Sequence, residues 1–173
     1  MISTLITILI FVLIALLFLA AFVLIRTVTF SGKMKLEAAK TAEPEPVDAQ
    51  RAAEHLSRAL QVATISNLER TPAGYLPFLE FHQLLAEMFP RVHRQLQRER
   101  FADYSLLYCW PGSNPDLEPV LFAAHQDVVP VDPASLSAWP QPPFSGAVAD
   151  GSVWGRGAQD IKNQLIALLE SVE

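Results

Sequence analysis

"LFAAHQDVVPVDPASLSAWPQPPFSGAVADGSVWGRGAQDIKN" spans Leu121–Asn163, and its reading decides the fold. Extended back to Pro119, its opening "PVLFAAH" is a short, continuous apolar run, which fits a strand buried on both faces of an α/β sheet. Ligands of open α/β sheets sit at the carboxyl ends of strands, so His125 and Asp127 fall where a site belongs. "AVADGSVW" (147–154) alternates loosely and bends at Asp150-Gly151, as a hairpin does. After Gly155-Arg156-Gly157, Asp160 opens a helix whose Ile161, Leu165, Leu168, Leu169 and Val172 recur at helical spacing.

Upstream of this stretch, Asp48 is placed to cap a helix starting near Ala49, with Ala52, Leu56, Ala59, Leu60 and Ala63 as its apolar stripe. "ATISNLERTPAGY" interrupts the pattern. A second helix is expected over Leu76–Phe89, with Phe78, Phe81, Leu85 and Met88 on one face and Pro90 ending it. "YSLLYCW" (104–110) reads as a strand, with the single Cys109 buried in it. His55, His82 and His93 have no neighbours at metal-ligand spacing and are expected to pack or face solvent. The order of helix, helix, strand, strand, hairpin, helix predicts an α/β layered domain over 48–173.

Met1–Ile25 carries no charged side chain. About 20 apolar residues cross a bilayer as a helix, and the run is long and unflanked by basic residues on its N-terminal side, unlike a cleaved signal. Residues 1–26 are therefore expected to be a retained single-pass membrane anchor, and 27–47, with "AEPEPVD", an exposed linker. Arg26, Lys33, Lys35 and Lys40 favour a cytoplasmic body by the positive-inside rule. The net charge of −5 and the lack of a basic stripe with interleaved aromatics exclude nucleic acid as a partner.

A neutral imidazole is a common ligand of divalent metals, and a carboxylate behind it fixes its tautomer. An Asp has two oxygens and can bridge two metal ions that hold a hydroxide between them. His125, Asp127 and Asp160 could supply those parts. His-x-Asp pairs are also common structural features, so the residues by themselves leave both readings open. "GRGAQD" lacks the spacing of a dinucleotide-binding loop and the ending of a P-loop, which removes the support for a nucleotide-binding protein.

"AHQDVVPV", the following "W" and "PPFSG", and "DGSVWGRGAQDIKN" together resemble the signature blocks of the M20 family of zinc metallopeptidases. The resemblance is nearest to its branch of carboxypeptidase S-like and N-acyl-amino-acid synthase/hydrolase-like proteins. "QVATIS" resembles an earlier block. The likeness runs over roughly Asp48–Glu173 and implies an α/β/α zinc-peptidase catalytic domain of which this is the first part. It implies His125 as a zinc ligand and Asp127 as the catalytic-site acid supporting that histidine. It implies Asp160 as the aspartate bridging two Zn2+, with a cis peptide to Ile161. Arg156 and Lys162 match positions taken as structural, and Trp139 and Phe144 are expected to pack the loop.

Two zinc ions per complete site are implied, with a peptide or N-acyl amino acid as substrate and a homodimer in the complete protein. The family's catalytic glutamate, its remaining ligands and its dimerisation insert would lie beyond Glu173, since Glu170 and Glu173 do not form the expected Glu-Glu pair. The expectation is an N-terminal fragment, inactive by itself. The resemblance also places the body outside the cytosol, against the flanking charges. A non-catalytic, membrane-tethered binding or regulatory module is the alternative.

Overall fold

The structure, a computed structural model, describes residues 2–33, 46–66 and 71–173, with side chains over 4–30 and the two later ranges. Most of the expected linker, with Lys35 and Lys40, lies outside the described residues. Contacts divide the chain into two units, Met1–Pro46 and Val47–Glu173.

The first unit is one helix, α1 (Ile2–Lys33). Its Thr4–Phe30 segment has a mean hydropathy of 3.5 and is long and apolar enough to cross a membrane. Leu, Ile, Val and Phe side chains are exposed all round it. Thr27 and Thr29 turn their hydroxyls back onto the helix, donating to the Val23 and Ile25 carbonyls at 2.9 and 2.8 Å.

The second unit begins with α2 (Ala49–Gln61), where the Asp48 carboxylate accepts from the Arg51 N–H at 3.0 Å. Next come α3 (Leu76–Met88) and α4 (Pro90–Gln95). Pro90 does not end helical structure as expected. It starts α4 after a break at Phe89, in the first-turn position where its missing N–H costs nothing. The hairpin of β1 (Gln97–Phe101) and β2 (Ser105–Cys109) follows, antiparallel, with Gln97 opposite Cys109. β2 alternates inward Leu106 and Tyr108 with outward Leu107 and Cys109, so the cysteine expected to be buried is exposed. A period of two puts Cys109 on the face opposite Tyr108.

A short ribbon, β3 (Val148–Ala149) and β4 (Ser152–Val153), turns through Asp150 and Gly151 at φ 53° and 71°. Positive φ at both central positions is what a two-residue hairpin turn of this hand requires. α5 (Asn163–Val172) closes the described chain. It starts three residues later than the sequence pattern indicates, because Asp160 (φ −123°, ψ 88°) and Ile161 (φ −140°, ψ 35°) leave helical geometry within a wide turn, Ala158–Lys162.

The core is helical. Ala59 and Val62 of the α2 end, Phe81, Leu85 and Met88 of α3, Phe89, Val92 of α4, and Ile166 and Leu169 of α5 form one buried cluster. Leu106 and Tyr108 lay the β1–β2 hairpin against it. The unit is thus mixed helix and strand, in keeping with the α/β class, but the strand expected at 119–125 is not formed. Val120, Leu121 and Phe122 are 77, 79 and 72% exposed. A strand exists only through its neighbours' hydrogen bonds, and this run finds one described side-chain donor, Gln164 Nε2 to the Ala123 carbonyl at 3.0 Å. Pairing begins further on, where Val128 bridges Ile65 in parallel.

Candidate metal centre

The segment after Ala124 is held from beneath by the end of α2. The Val128 N–H donates to the Thr64 carbonyl at 2.9 Å, and the Ser66 N–H to the Val128 carbonyl at 3.1 Å. The fully buried Thr64 hydroxyl donates to the Gln126 carbonyl at 2.5 Å. Extended backbone sends alternate side chains to opposite sides. Gln126 therefore points inward while His125 and Asp127 point out.

Inside, Gln126 Nε2 donates to the Tyr104 carbonyl. Its Oε1 meets His82 Nε2 at 3.0 Å. That carbonyl oxygen can only accept, so His82 carries its proton on Nε2. Burial pulls the His82 imidazole below its ordinary pKa, as expected for a cation withdrawn from water. Gln126, Thr64 and His82 were not singled out as site residues from the sequence. The only signals near them were family resemblances: Thr64 lies in "QVATIS" and Gln126 in "AHQDVVPV".

The second half of the site arrives with the wide turn before α5. Gly157 sits at φ +86°, and a Cβ there would lie 2.5 Å from Val128 Cγ1. The two strips of chain approach more closely than any side chain allows. The Asp160–Ile161 peptide is cis.

Lys162 anchors this turn. It is 1% exposed, and its Nζ donates to the Ala59 and Val62 carbonyls, both at 2.8 Å. The same atom lies 4.5 Å from the centre of the Phe81 ring. These are carbonyls at the C-terminal end of α2, where a cation is favoured. Desolvation nevertheless dominates and pulls the Lys162 ammonium down to about 7.

His125, Asp127 and Asp160 come together at the surface. His125 Nδ1 lies 3.2 Å from Asp127 Oδ1 and 3.0 Å from the Asp127 carbonyl oxygen. His125 Nε2 lies 3.3 Å from Asp160 Oδ1. Both neighbours of Nδ1 are acceptors, so Nδ1 bears the proton of a neutral ring. Nε2 then turns a lone pair toward a carboxylate oxygen. Two acceptors so placed need a cation or a proton between them.

The spacing suits a metal. Two ligands each about 2.0–2.1 Å from a tetrahedral ion are roughly 3.3 Å apart. The pair falls short in number, since catalytic zinc sites use three protein ligands. Among the described residues no group of three or more His, Cys, Asp and Glu is placed to hold one ion. Glu170 and Glu173 are engaged elsewhere. Glu170 takes Arg51 Nη2 at 2.8 Å and His55 Nδ1 at 2.5 Å, and Glu173 accepts the Arg91 and Val92 N–H groups at the start of α4. His93 bonds the Phe89 carbonyl and the Tyr108 hydroxyl. His55 and His93 thus bond within the helical and hairpin framework, while His82 supports Gln126 beneath the site.

A cavity of about 260 Å³ opens beside the pair, lined by His125, Asp127, Trp139, Arg156 and Asp160 among others. Trp139 lies half-buried under Arg156, whose guanidinium carbon is 5.0 Å from the ring centre.

The model of peptidase family M20/M25/M40 matches residues 121–173, the stretch that carries these three side chains. Similarity to individual proteins runs over more of the chain. Carboxypeptidase S of Saccharomyces cerevisiae is 44% identical over 127 residues, covering 69% of this chain and 22% of the yeast protein. Probable carboxypeptidase S-like 2 of Dictyostelium discoideum is 45% identical over 123 residues, covering 70% and 23%. The N-fatty-acyl-amino acid synthase/hydrolase of Mus musculus is 39% identical over 122 residues, covering 69% and 24%. The resemblance to the carboxypeptidase S-like M20 branch thus holds, and the chain spans about a quarter of the length of these relatives.

Proposed function

We propose that the chain is part of a membrane-anchored M20 metallohydrolase that cleaves an amide bond, either at a peptide's C-terminal residue or in an N-acyl amino acid. The observation that carries this reading is His125 Nε2 facing Asp160 Oδ1 at 3.3 Å with Asp127 behind the ring. The names of the relatives supply the substrate classes, and α1 supports the anchor by its length and apolarity.

His125 and Asp160 would hold zinc, with Asp160 bridging a second ion. Asp127 is a positioning residue: it keeps the proton on Nδ1 and Nε2 free to bind. When bound, the metal supplies a water of lowered pKa and polarises the scissile carbonyl. The remaining ligands and the general-base glutamate are those the family resemblance implies. Two donors hold an ion poorly, so these 173 residues by themselves should bind zinc weakly and turn over no substrate.

Calorimetry of the full chain in detergent micelles tests the assignment. Weak zinc binding is expected, abolished by His125→Ala and reduced about tenfold by Asp127→Asn, the usual effect of removing such a support. Zinc binding unaltered by His125→Ala would remove the basis for the site, and peptide turnover by these residues would refute the expected inactivity.

A further inference from the structure

We infer that Gln126 is a positioning residue: it sets the register of residues 125–128, and through that register the place and the tautomer of His125. The consequence for metal binding rests on the hydrolase reading above. The preceding run is a poor guide to register. "PVLFAA" (119–124) is apolar throughout, forms no strand, and leaves Val120, Leu121 and Phe122 exposed. A segment alike on both faces specifies its register weakly, and a slip of one residue exchanges the faces. Gln126 would then turn out, and one of its neighbours would turn in.

The niche beneath the segment selects against that slip. It offers one acceptor, the Tyr104 carbonyl, and one donor, the His82 Nε2–H, and the Gln126 amide meets both. An ionised Asp127 brought into the same place would meet the Tyr104 carbonyl acceptor to acceptor. Three elements hold the niche. His82 comes from α3 and is 7% exposed, and Thr64 follows α2 and is fully buried. Tyr104 sits in the turn between β1 and β2, its ring stacked on Tyr75 at 4.6 Å. Thr64 also ties both peptide groups that flank Asp127. Its hydroxyl donates to the Gln126 carbonyl, and its carbonyl accepts the Val128 N–H. In extended chain those two groups point one way and the Asp127 carbonyl points the other. That carbonyl lies 3.0 Å from His125 Nδ1, which keeps the ring proton there and leaves Nε2 toward Asp160.

The test uses the full chain in detergent micelles, 15N-labelled at histidine, with the His125 ring assigned by its loss in His125→Ala. Spectra are taken without zinc at about pH 8, where an ordinary imidazole is neutral. The unaltered chain should show Nδ1 protonated and Nε2 bare. Gln126→Met keeps the bulk but removes both bonds, and should release the ring to a mixture of tautomers. His82→Leu should act in the same direction, while His82→Gln, which keeps a donor, should restore the native spectrum. Zinc binding by calorimetry should weaken about tenfold in Gln126→Met, the scale of losing a ligand's support, and be rescued in the same order. A role confined to stability would lower the denaturant midpoint and leave the tautomer of the folded chain as it was. That result, an Nε2-protonated ring in the unaltered chain, or no rescue by His82→Gln would overturn the inference. Should Gln126→Met not melt cooperatively, the two His82 variants carry the comparison. If His125→Ala leaves zinc binding unchanged while the tautomer still depends on Gln126, the metal reading fails and the positioning role stands. Zinc binding lost in His125→Ala, with tautomer and affinity untouched by Gln126→Met, fails the positioning role alone.

Discussion

Lys162 places a titratable amine inside the core, and its chemistry gives the unit a pH signature. Its folded pKa is about 7 against an ordinary 10.5. Between those values the unfolded chain binds a proton that the folded chain does not, so stability rises with pH across that window. Below pH 7 both states are protonated and the cost of burying the cation is felt in full. The contribution to the slope is at most about 1.4 kcal/mol per pH unit. Denaturant melts between pH 7 and 10 should show the rise, and Lys162→Met should flatten it while lowering stability overall, since two carbonyls lose their donor. His125, Asp127 and Asp160 were legible in the sequence because polar residues at the end of an apolar run and at a glycine-flanked helix start are conspicuous. Gln126, between two of them, was not. Its role depends on Tyr104 and His82, and no local pattern announces a contact across that much chain.

Among the elements, α2 is the one whose start the sequence specified through a single side chain. Asp48→Ala removes the bond to the Arg51 N–H and should cost about 1 kcal/mol. The check is a lower unfolding midpoint at an unchanged denaturant slope. α2, α3 and the β3–β4 turn were readable because periodicity, caps and turn residues are local. The 119–125 run was misread as a formed strand because apolar composition states what a segment could bury, while pairing depends on partners elsewhere. β1 escaped notice for the opposite reason. Its "QRERF" is polar but for Phe101 and exposed throughout, and it is a strand only through β2.

At the scale of the molecule, an apolar helix and a mixed helix–strand unit occur in one chain, and under the proposed anchoring the outcome of chief interest is on which side of a bilayer the unit resides. The flanking charges argue for the cytoplasm and the family likeness for the opposite side. Cys109 offers a way to decide, because it is the one cysteine in the sequence and lies outward on β2. A thiol reagent too polar to enter sealed vesicles would meet a single reactive sulfur, already on display without engineering. With one fixed orientation, modification before lysis should be complete or nil, and an intermediate yield would refute a uniform topology. A position first expected to be hidden thus turns the unmodified polypeptide into its own reporter of sidedness.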